Sequence, residues 1–307
     1  MRPVILAGPT AVGKTQLAIT LANELGAEII SVDSRQVYRY MDIGTAKPDR
    51  EDLNAVRHHL IDFIDPDQQY SAGCFGRDAR GIAAELARES TRALLVGGSG
   101  LYLSAFVDGF FKEGEGDFTA VRSDLRKRLK REGLASLYHD LGQLDPRSQV
   151  LLEAKDEQRI LRALELVPAG GMQQLAGSQH WDQNECRPLM ICLEMERQQL
   201  YRRIDDRVDA MVEAGWVSEV EDLIERGFDE ESAGMQSLGY EEILLFLRGS
   251  LTLDLALDRI KRRSRQYAKR QLTWFRRDRR MRWLNIGDLG PNGVLDRIVR
   301  QVNTADI

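Results

Sequence analysis

The sequence predicts an α/β protein in which a parallel sheet core flanked by helices is interrupted by a helical insertion domain. Three observations carry this. Short apolar runs alternate with helix-spaced apolar residues over the first hundred positions, a glycine-rich turn joins the first run to the first helix, and strand signals fade after Gly109. The 307 residues are enough for two domains with real cores. A composition of 43% hydrophobic and 30% charged residues is that of an ordinary globular protein and excludes collagen-like, low-complexity and largely disordered classes.

Taken in order, Pro3 to Ala7 reads as a buried strand, and Leu17, Ala18, Leu21, Ala22 and Leu25 come next at helical spacing up to Gly26. Glu28 to Val32 reads as a second strand ending at Asp33, and Leu60 to Ile64 as a third. Ile82, Ala83, Leu86 and Ala87 mark a helix, after which Ala93 to Val96 is a strand stopping at Gly97-Gly98. Such alternation implies parallel strands covered on both faces. Gly114 to Asp117 then reads as the entry to the insertion, where Leu125, Leu129, Leu134, Leu137 and Leu141 keep a helical rhythm and Asp145-Pro146 starts another helix. The expected divisions are a first part of the core at 1–112, the insertion at 113–187, and 188–307 as the return to the core with C-terminal basic helices. In that return, Leu189 to Leu193 reads as a strand, Leu200 to Val212 as one helical face ending at Gly215, a further helix pair comes after it, and Leu253 to Phe275 reads as a long basic helix without Gly or Pro.

Three cysteines, Cys74, Cys186 and Cys192, with no C-x-x-C pair, indicate neither a disulfide framework nor a thiolate metal site and favour a reducing, cytoplasmic setting. The apolar stretch Val4 to Ala7 breaks at Gly8, too short for a signal-peptide core or a membrane span. His58, His59, His139 and His180 are scattered, and the adjacent pair reads as structural.

Gly8-Pro9-Thr10-Ala11-Val12-Gly13-Lys14-Thr15 satisfies G-x-x-x-x-G-K-[ST] between a strand and a helix, the context that motif requires in a P-loop NTPase-like core. Glycines let backbone N–H groups converge on anionic oxygens, the helix N-terminus adds partial positive charge, Lys14 neutralises, and Thr15 can hold Mg²⁺. A nucleotide or another phosphorylated ligand fits this cradle equally. The apolar strand Ala93 to Val96 ends in Gly97-Gly98-Ser99-Gly100, where a hydrolase would place an Asp to organise metal and water. Asp33 closes a different strand, where it can bind magnesium, serve as general base, or simply cap its loop.

Net charge is −5, yet Arg259 to Arg282 holds twelve Lys or Arg against one acid, Asp278, with Tyr267, Trp274 and Phe275 interleaved. Basic residues among aromatics are a footprint for a nucleic acid, and a solvated helix face is the bland alternative.

Asp33-Ser34-Arg35-Gln36-Val37-Tyr38, Met41 to Pro48, and the Gly-Pro-Thr form of the phosphate loop together resemble the bacterial tRNA dimethylallyltransferases, the MiaA family. The likeness continues through His58 to Asp62, Tyr70-Ser71-Ala72 with Phe75, Gly97 to Tyr102, Gln158-Arg159-Ile160 with Arg162 to Glu165, Gly239 to Glu242 and Ala268 to Phe275. Ser99 stands where the family usually has Thr, and Pro168 to Gly171 replace a common Thr-Gly. No cysteine and histidine set for the zinc finger of eukaryotic relatives is present.

The resemblance implies a transferase that moves a dimethylallyl group from dimethylallyl diphosphate to N6 of the adenosine immediately 3′ of the anticodon, with Mg²⁺ and with diphosphate rather than ATP in the cradle. It implies Asp33, Thr10 and Arg159 at the reacting centre. Contacts to a tRNA anticodon stem-loop fall to Asp33, Ser34, Arg35, Gln36, Ser99, Arg122, Gln158, Arg159, Gly239, Tyr240, Lys269, Arg270, Gln271, Thr273, Trp274 and Arg276. The expected species is a cytoplasmic monomer without membrane attachment. A P-loop kinase acting on a small metabolite or nucleotide is the alternative, and it leaves the basic segment unexplained.

Overall fold

The computed structural model describes residues 1–109, 119–167 and 187–305. Six strands form one parallel sheet: β1 Val4–Ala7, β2 Ala27–Val32, β3 His58–His59, β4 Arg92–Gly97, β5 Leu189–Glu194 and β6 Arg282–Asn285, in the order β3-β2-β4-β1-β5-β6. The apolar runs of β1, β2, β4 and β5 are almost wholly buried, as expected of parallel strands covered on both faces. Register determines which residues meet at the rim. Val32 pairs with Gly97, Gly97 with Ala7, and Ala7 with Cys192, so Asp33, Gly98, Gly8 and Leu193 emerge side by side on the carboxyl edge.

The first helix, Lys14–Leu25, buries Leu17, Ala18, Leu21 and Ala22 and ends at Gly26, whose φ of 58° closes the helix as a left-handed cap. The helix Ala72–Arg88 starts at Ser71, whose hydroxyl accepts from the Cys74 amide. The basic helix Leu253–Phe275 is capped by Thr252 and buries a stripe of Ala256, Ile260, Ser264, Ala268, Gln271 and Phe275. This stripe, recurring at three and four positions, sets the helix against the helices Arg197–Glu213 and Tyr240–Leu247, and Gln271 brings it to the rim at Gly98.

The sheet departs from expectation at both edges. Leu60 to Ile64 is not a strand: β3 is only His58–His59, Leu60 and Asp62 take left-handed φ of 57° and 56°, and Ile64 makes a lone bridge to Tyr38. Left-handed residues cannot continue a ladder. The edge strand β6 escaped sequence reading because it is only four residues long, buries only Leu284 and comes just after a run of arginines.

By its contacts the chain forms two compact units, Met1–Val107 with Asn184–Ile307, and Asp108–Gln183. In the second, the helices Thr119–Glu132, Leu134–Leu144, Pro146–Leu151 and Glu157–Leu166 pack around Leu125, Leu137, Leu141, Leu152, Ile160, Ala163 and Leu164. Pro146 opens its helix, where its missing N–H is harmless. The entry linker 114–117, the segment 168–171, His180 and Cys186 lie outside the described residues. Among the described residues no helix is long and apolar enough to cross a membrane.

Gly97 and Gly81 make opposite predictions. A Cβ on Gly97 would stand 2.1 Å from the Val32 carbonyl oxygen, whereas one on Gly81, inside the helix Ala72–Arg88, meets nothing within 4 Å. Gly97→Ala is expected to destabilise by about 3 kcal/mol. Gly81→Ala should stabilise by about 0.5–1 kcal/mol. Urea unfolding midpoints check both.

Candidate active site

The phosphate loop leaves β1 through Gly8, passes Ala11 at a left-handed φ of 63°, and enters the helix at Gly13 with φ 102°. Positive φ at a non-glycine residue is held only where neighbours fix the loop. Three side chains do so here. Lys14 Nζ donates to the carbonyls of Gly8 at 2.9 Å and Pro9 at 2.7 Å, Arg207 donates to Thr10 Oγ1 at 3.2 Å, and the Thr10 amide donates to Gln271 Oε1 at 2.9 Å. Burial, with Arg207 nearby, pulls the Lys14 ammonium down to about 8, while Asp33 opposes the fall. Burial likewise lowers Arg207, against the pull of Asp33. Two cations are thus held beside the loop, with Asp33 as the anion that acts on both.

Asp33, two strands along the rim beyond β4, accepts through Oδ1 from the Arg35 amide at 2.8 Å and the Gln36 amide at 3.4 Å. It therefore caps its own loop. Ser34 N donates to Ser99 Oγ at 3.2 Å, tying the residues after β2 to those after β4. Gln36 is fixed on both ends: its Nε2 donates to the Ala46 carbonyl at 2.9 Å and its Oε1 accepts from Ser31 Oγ at 3.1 Å. Burial, reinforced by Asp33, pushes the Tyr267 phenol up to about 12, so it remains a neutral donor that can hydrogen-bond Ser99.

The loop 42–44 is seated on a carboxylate. Glu219 accepts from the amides of Asp42 and Ile43 at 2.7 Å, of Gly44 at 3.1 Å, and from the Tyr240 hydroxyl at 2.6 Å. Trp216 is wedged between Gly44 and Gly239, where a Cβ on either would fall about 2 Å from the indole. Tyr240 is fully buried, and with Gly239 it braces this loop instead of offering a free surface.

These groups surround a cleft of about 710 Å³ whose walls include Thr10, Lys14, Thr15, Asp33, Ser34, Arg35, Gln36, Arg270 and Gln271. It also includes Arg203 and Arg207, which the sequence reading missed. Their signal was available: two arginines four apart, beside the buried face of Leu200, Ile204 and Val208 on the helix Arg197–Glu213.

The basic segment divides into two halves. Lys261 pairs with Asp209 at 2.6 Å, Arg265 with Asp205 at 2.6 Å, and Arg263 with Glu241 at 2.7 Å and with the buried Glu242. Toward the C-terminus, Lys269, Arg270, Thr273, Trp274 and Arg276 are exposed, as are Arg277 and Arg279. Trp274 rests in the notch that Gly100 leaves, and the Thr273 hydroxyl returns to the Lys269 carbonyl at 2.9 Å. Gln271, only 7% exposed, faces inward.

Arg122, Gln158 and Arg159 belong to the helical unit. There Arg122 pairs with the buried Glu165, which Arg162 also meets at 2.6 Å, while Arg159 is exposed and lies 3.4 Å from Asp156. The adjacent histidines are structural: His59 Nε2 bonds Glu28 at 2.6 Å and His58 Nδ1 meets the Val56 carbonyl at 2.8 Å.

Known proteins carry the same pattern. The family model described as IPP transferase matches residues 36–278. A tRNA dimethylallyltransferase of Symbiobacterium thermophilum is 45% identical over 307 aligned positions, covering 97% of this chain and 94% of its own. One from Syntrophus aciditrophicus is 44% identical over 289, covering 94% and 93%. Among solved structures, the tRNA isopentenylpyrophosphate transferase of Bacillus halodurans superposes with a TM-score of 0.73 at 37% identity, covering 99% of this chain and 96% of its own. A eukaryotic dimethylallyltransferase studied in action on tRNA gives 0.78 at 27% identity, over 94% and 74%.

Because Lys14 loses its proton from about 8 upward, an anion in the cradle should be held less tightly as pH rises. Between pH 7 and 9 the affinity for inorganic diphosphate is expected to fall on the order of tenfold relative to a Lys14→Arg variant, whose guanidinium keeps its charge. Calorimetric titration of both proteins at the two pH values cancels the ligand's own ionisation.

Proposed function

The chain belongs to the IPP transferase family, and we propose on that footing that it transfers a dimethylallyl group from dimethylallyl diphosphate to N6 of the adenosine immediately 3′ of the anticodon in tRNA, releasing diphosphate. The observation that carries this reading is convergence on one rim. A phosphate loop, a carboxylate and the end of a basic, aromatic-bearing helix meet around the same cleft.

The adenine N6 lone pair is delocalised into the ring, so removing its proton as the C–N bond forms lowers the barrier. Asp33 is the base. Its Oδ1 holds the loop while the carboxylate faces the cleft, which fixes the group where the acceptor must arrive. As the allylic carbon becomes cation-like, negative charge gathers on the departing oxygens. Lys14, Arg207, the Thr10 hydroxyl and the amides at the start of the helix would stabilise it.

The donor set fits Mg²⁺ through the Thr15 hydroxyl at the first turn of the helix. Among the described residues no cluster of three or more Asp, Glu, His or Cys competes for a metal, so phosphate oxygens and water would complete the shell in the manner usual for this ion. When bound, Mg²⁺ would neutralise the diphosphate and make it a better leaving group.

A base stacked in an anticodon loop must be swung out to reach this cleft, at a cost of a few kcal/mol, least in a loop. Ser34, Arg35, Gln36 and Ser99 are proposed to receive it, the exposed Lys269, Arg270, Trp274 and Arg276 to hold the anticodon arm, and Arg122, Gln158 and Arg159 of the helical unit to contact the same tRNA. We place the enzyme in the cytoplasm as a monomer. A kinase acting on a small molecule would have no use for the exposed half of the basic helix.

Three measurements test this. Incubation with unmodified tRNA, Mg²⁺ and labelled dimethylallyl diphosphate should move label to RNA, and γ-labelled ATP should move none; the reverse result restores the kinase. Asp33→Asn keeps the capping oxygen but not the base, so turnover should drop about 10²–10⁴-fold with tRNA affinity within about threefold. An active variant would remove the base assignment. Lys269→Ala with Arg270→Ala should weaken tRNA binding and flatten its salt dependence by about one to two in log–log slope, read by filter binding at several salt concentrations.

A further inference from the structure

The strand-side half of the phosphate loop is closed by the protein's own groups. Pro9 has no N–H to offer, so the Thr10 amide is the donor next along the loop from β1, and Gln271 Oε1 takes it at 2.9 Å. The carbonyls of Gly8 and Pro9 are both held by Lys14, and the Thr10 hydroxyl by Arg207. On its other side Gln271 Nε2 donates to the Gly98 carbonyl at 3.0 Å. Gly98 stands at the end of the strand beside β1, where a nucleoside triphosphate hydrolase carries its metal-organising carboxylate. A Cβ there would lie 2.1 Å from Gln271 Nε2, so the glycine is what admits the amide. Gln271 is 7% exposed, both ends of its amide are satisfied, and it lies among the walls of the cleft.

We propose that Gln271 sets the length of the phosphate chain the cradle accepts, by filling the space and capping the backbone donor that a third phosphoryl group would need. The inference rests on the reading that the loop holds a diphosphate, and it adds the residue that enforces this choice. The helix opens at Gly13 with no side-chain cap, which leaves its first amides for a two-phosphate ligand, whereas the Thr10 amide is already taken. The selector sits on the same helix as the exposed RNA-facing arginines, 271 lying one residue beyond Arg270. Selection of the donor and binding of the acceptor are thereby built on one rigid element.

The test compares inorganic diphosphate with inorganic tripolyphosphate, both with Mg²⁺, by calorimetric titration of the whole 307-residue chain. Wild type is expected to prefer diphosphate at least tenfold. Gln271→Ala should shrink that preference about tenfold, chiefly by tighter tripolyphosphate binding relative to diphosphate. Gly98→Ala, which displaces the amide tip while leaving Gln271 in the chain, should shift the ratio in the same direction and serves if the first variant does not fold. A purely structural Gln271 would weaken both ligands in equal proportion, and an unchanged ratio in both variants would overturn the assignment. Wild-type preference for tripolyphosphate would instead overturn the diphosphate reading itself, so the two failures are told apart.

Discussion

Parallel strands that finish in register deliver their next residues to a single edge, and this protein's chemistry depends on that constraint. The row Val32, Gly97, Ala7 and Cys192 fixes where Asp33, Gly98, Gly8 and Leu193 emerge. No single residue chooses this alignment; the ladder does. A one-residue slip of β2 against β4 would move Asp33 by about 3.3 Å and turn its side chain to the opposite face of the sheet. The close contact of Gly97 with the Val32 carbonyl makes the pairing intolerant of any added atom.

Electrostatics then divides the labour. The N-terminal half of the basic helix is locked to acids on neighbouring helices through Lys261, Arg263 and Arg265, so its charge serves docking. From Lys269 onward the basic side chains stand exposed, and the acids they meet are fewer, Glu194 at 3.9 Å from Arg276 and Asp278 at 2.7 Å from Arg280. Inside the cleft, Lys14 and Arg207 lie near Asp33, and the lowered Lys14 ammonium reflects burial and mutual repulsion of the two cations. A polyanion entering there relieves that repulsion, so the crowding of like charges becomes part of the attraction for ligand.

Local features of the sequence were legible where local rules decide. The strand–loop–helix of the phosphate cradle, the long helix from Leu253 and the leucine rhythm of the insertion rest on patterns spanning a few turns, and they lie where expected. What escaped depends on distant partners. Gln271 and Tyr240 were expected among the tRNA contacts, yet Gln271 is buried against Thr10 and Gly98, and Tyr240 against Glu219. Arg203 and Arg207 look like any solvent-facing pair until the helix is set against the loop. The twelve basic residues were read as one patch because the acids that silence three of them, Asp205, Asp209 and the pair Glu241–Glu242, lie elsewhere in the chain.

The position of β1 has a consequence for biosynthesis. It is flanked by β4 and β5, and β5 is encoded after the whole insertion, so the sheet's centre cannot close until Glu194 has left the ribosome. At about 5–20 residues per second, that leaves β1 without one neighbour for roughly 10–40 s. The insertion has its own apolar nucleus between Leu125 and Leu164 and can consolidate during that interval. Nascent molecules therefore carry an incomplete sheet together with a finished helical module, a stage at which chaperones holding apolar strands would have their longest opportunity to act.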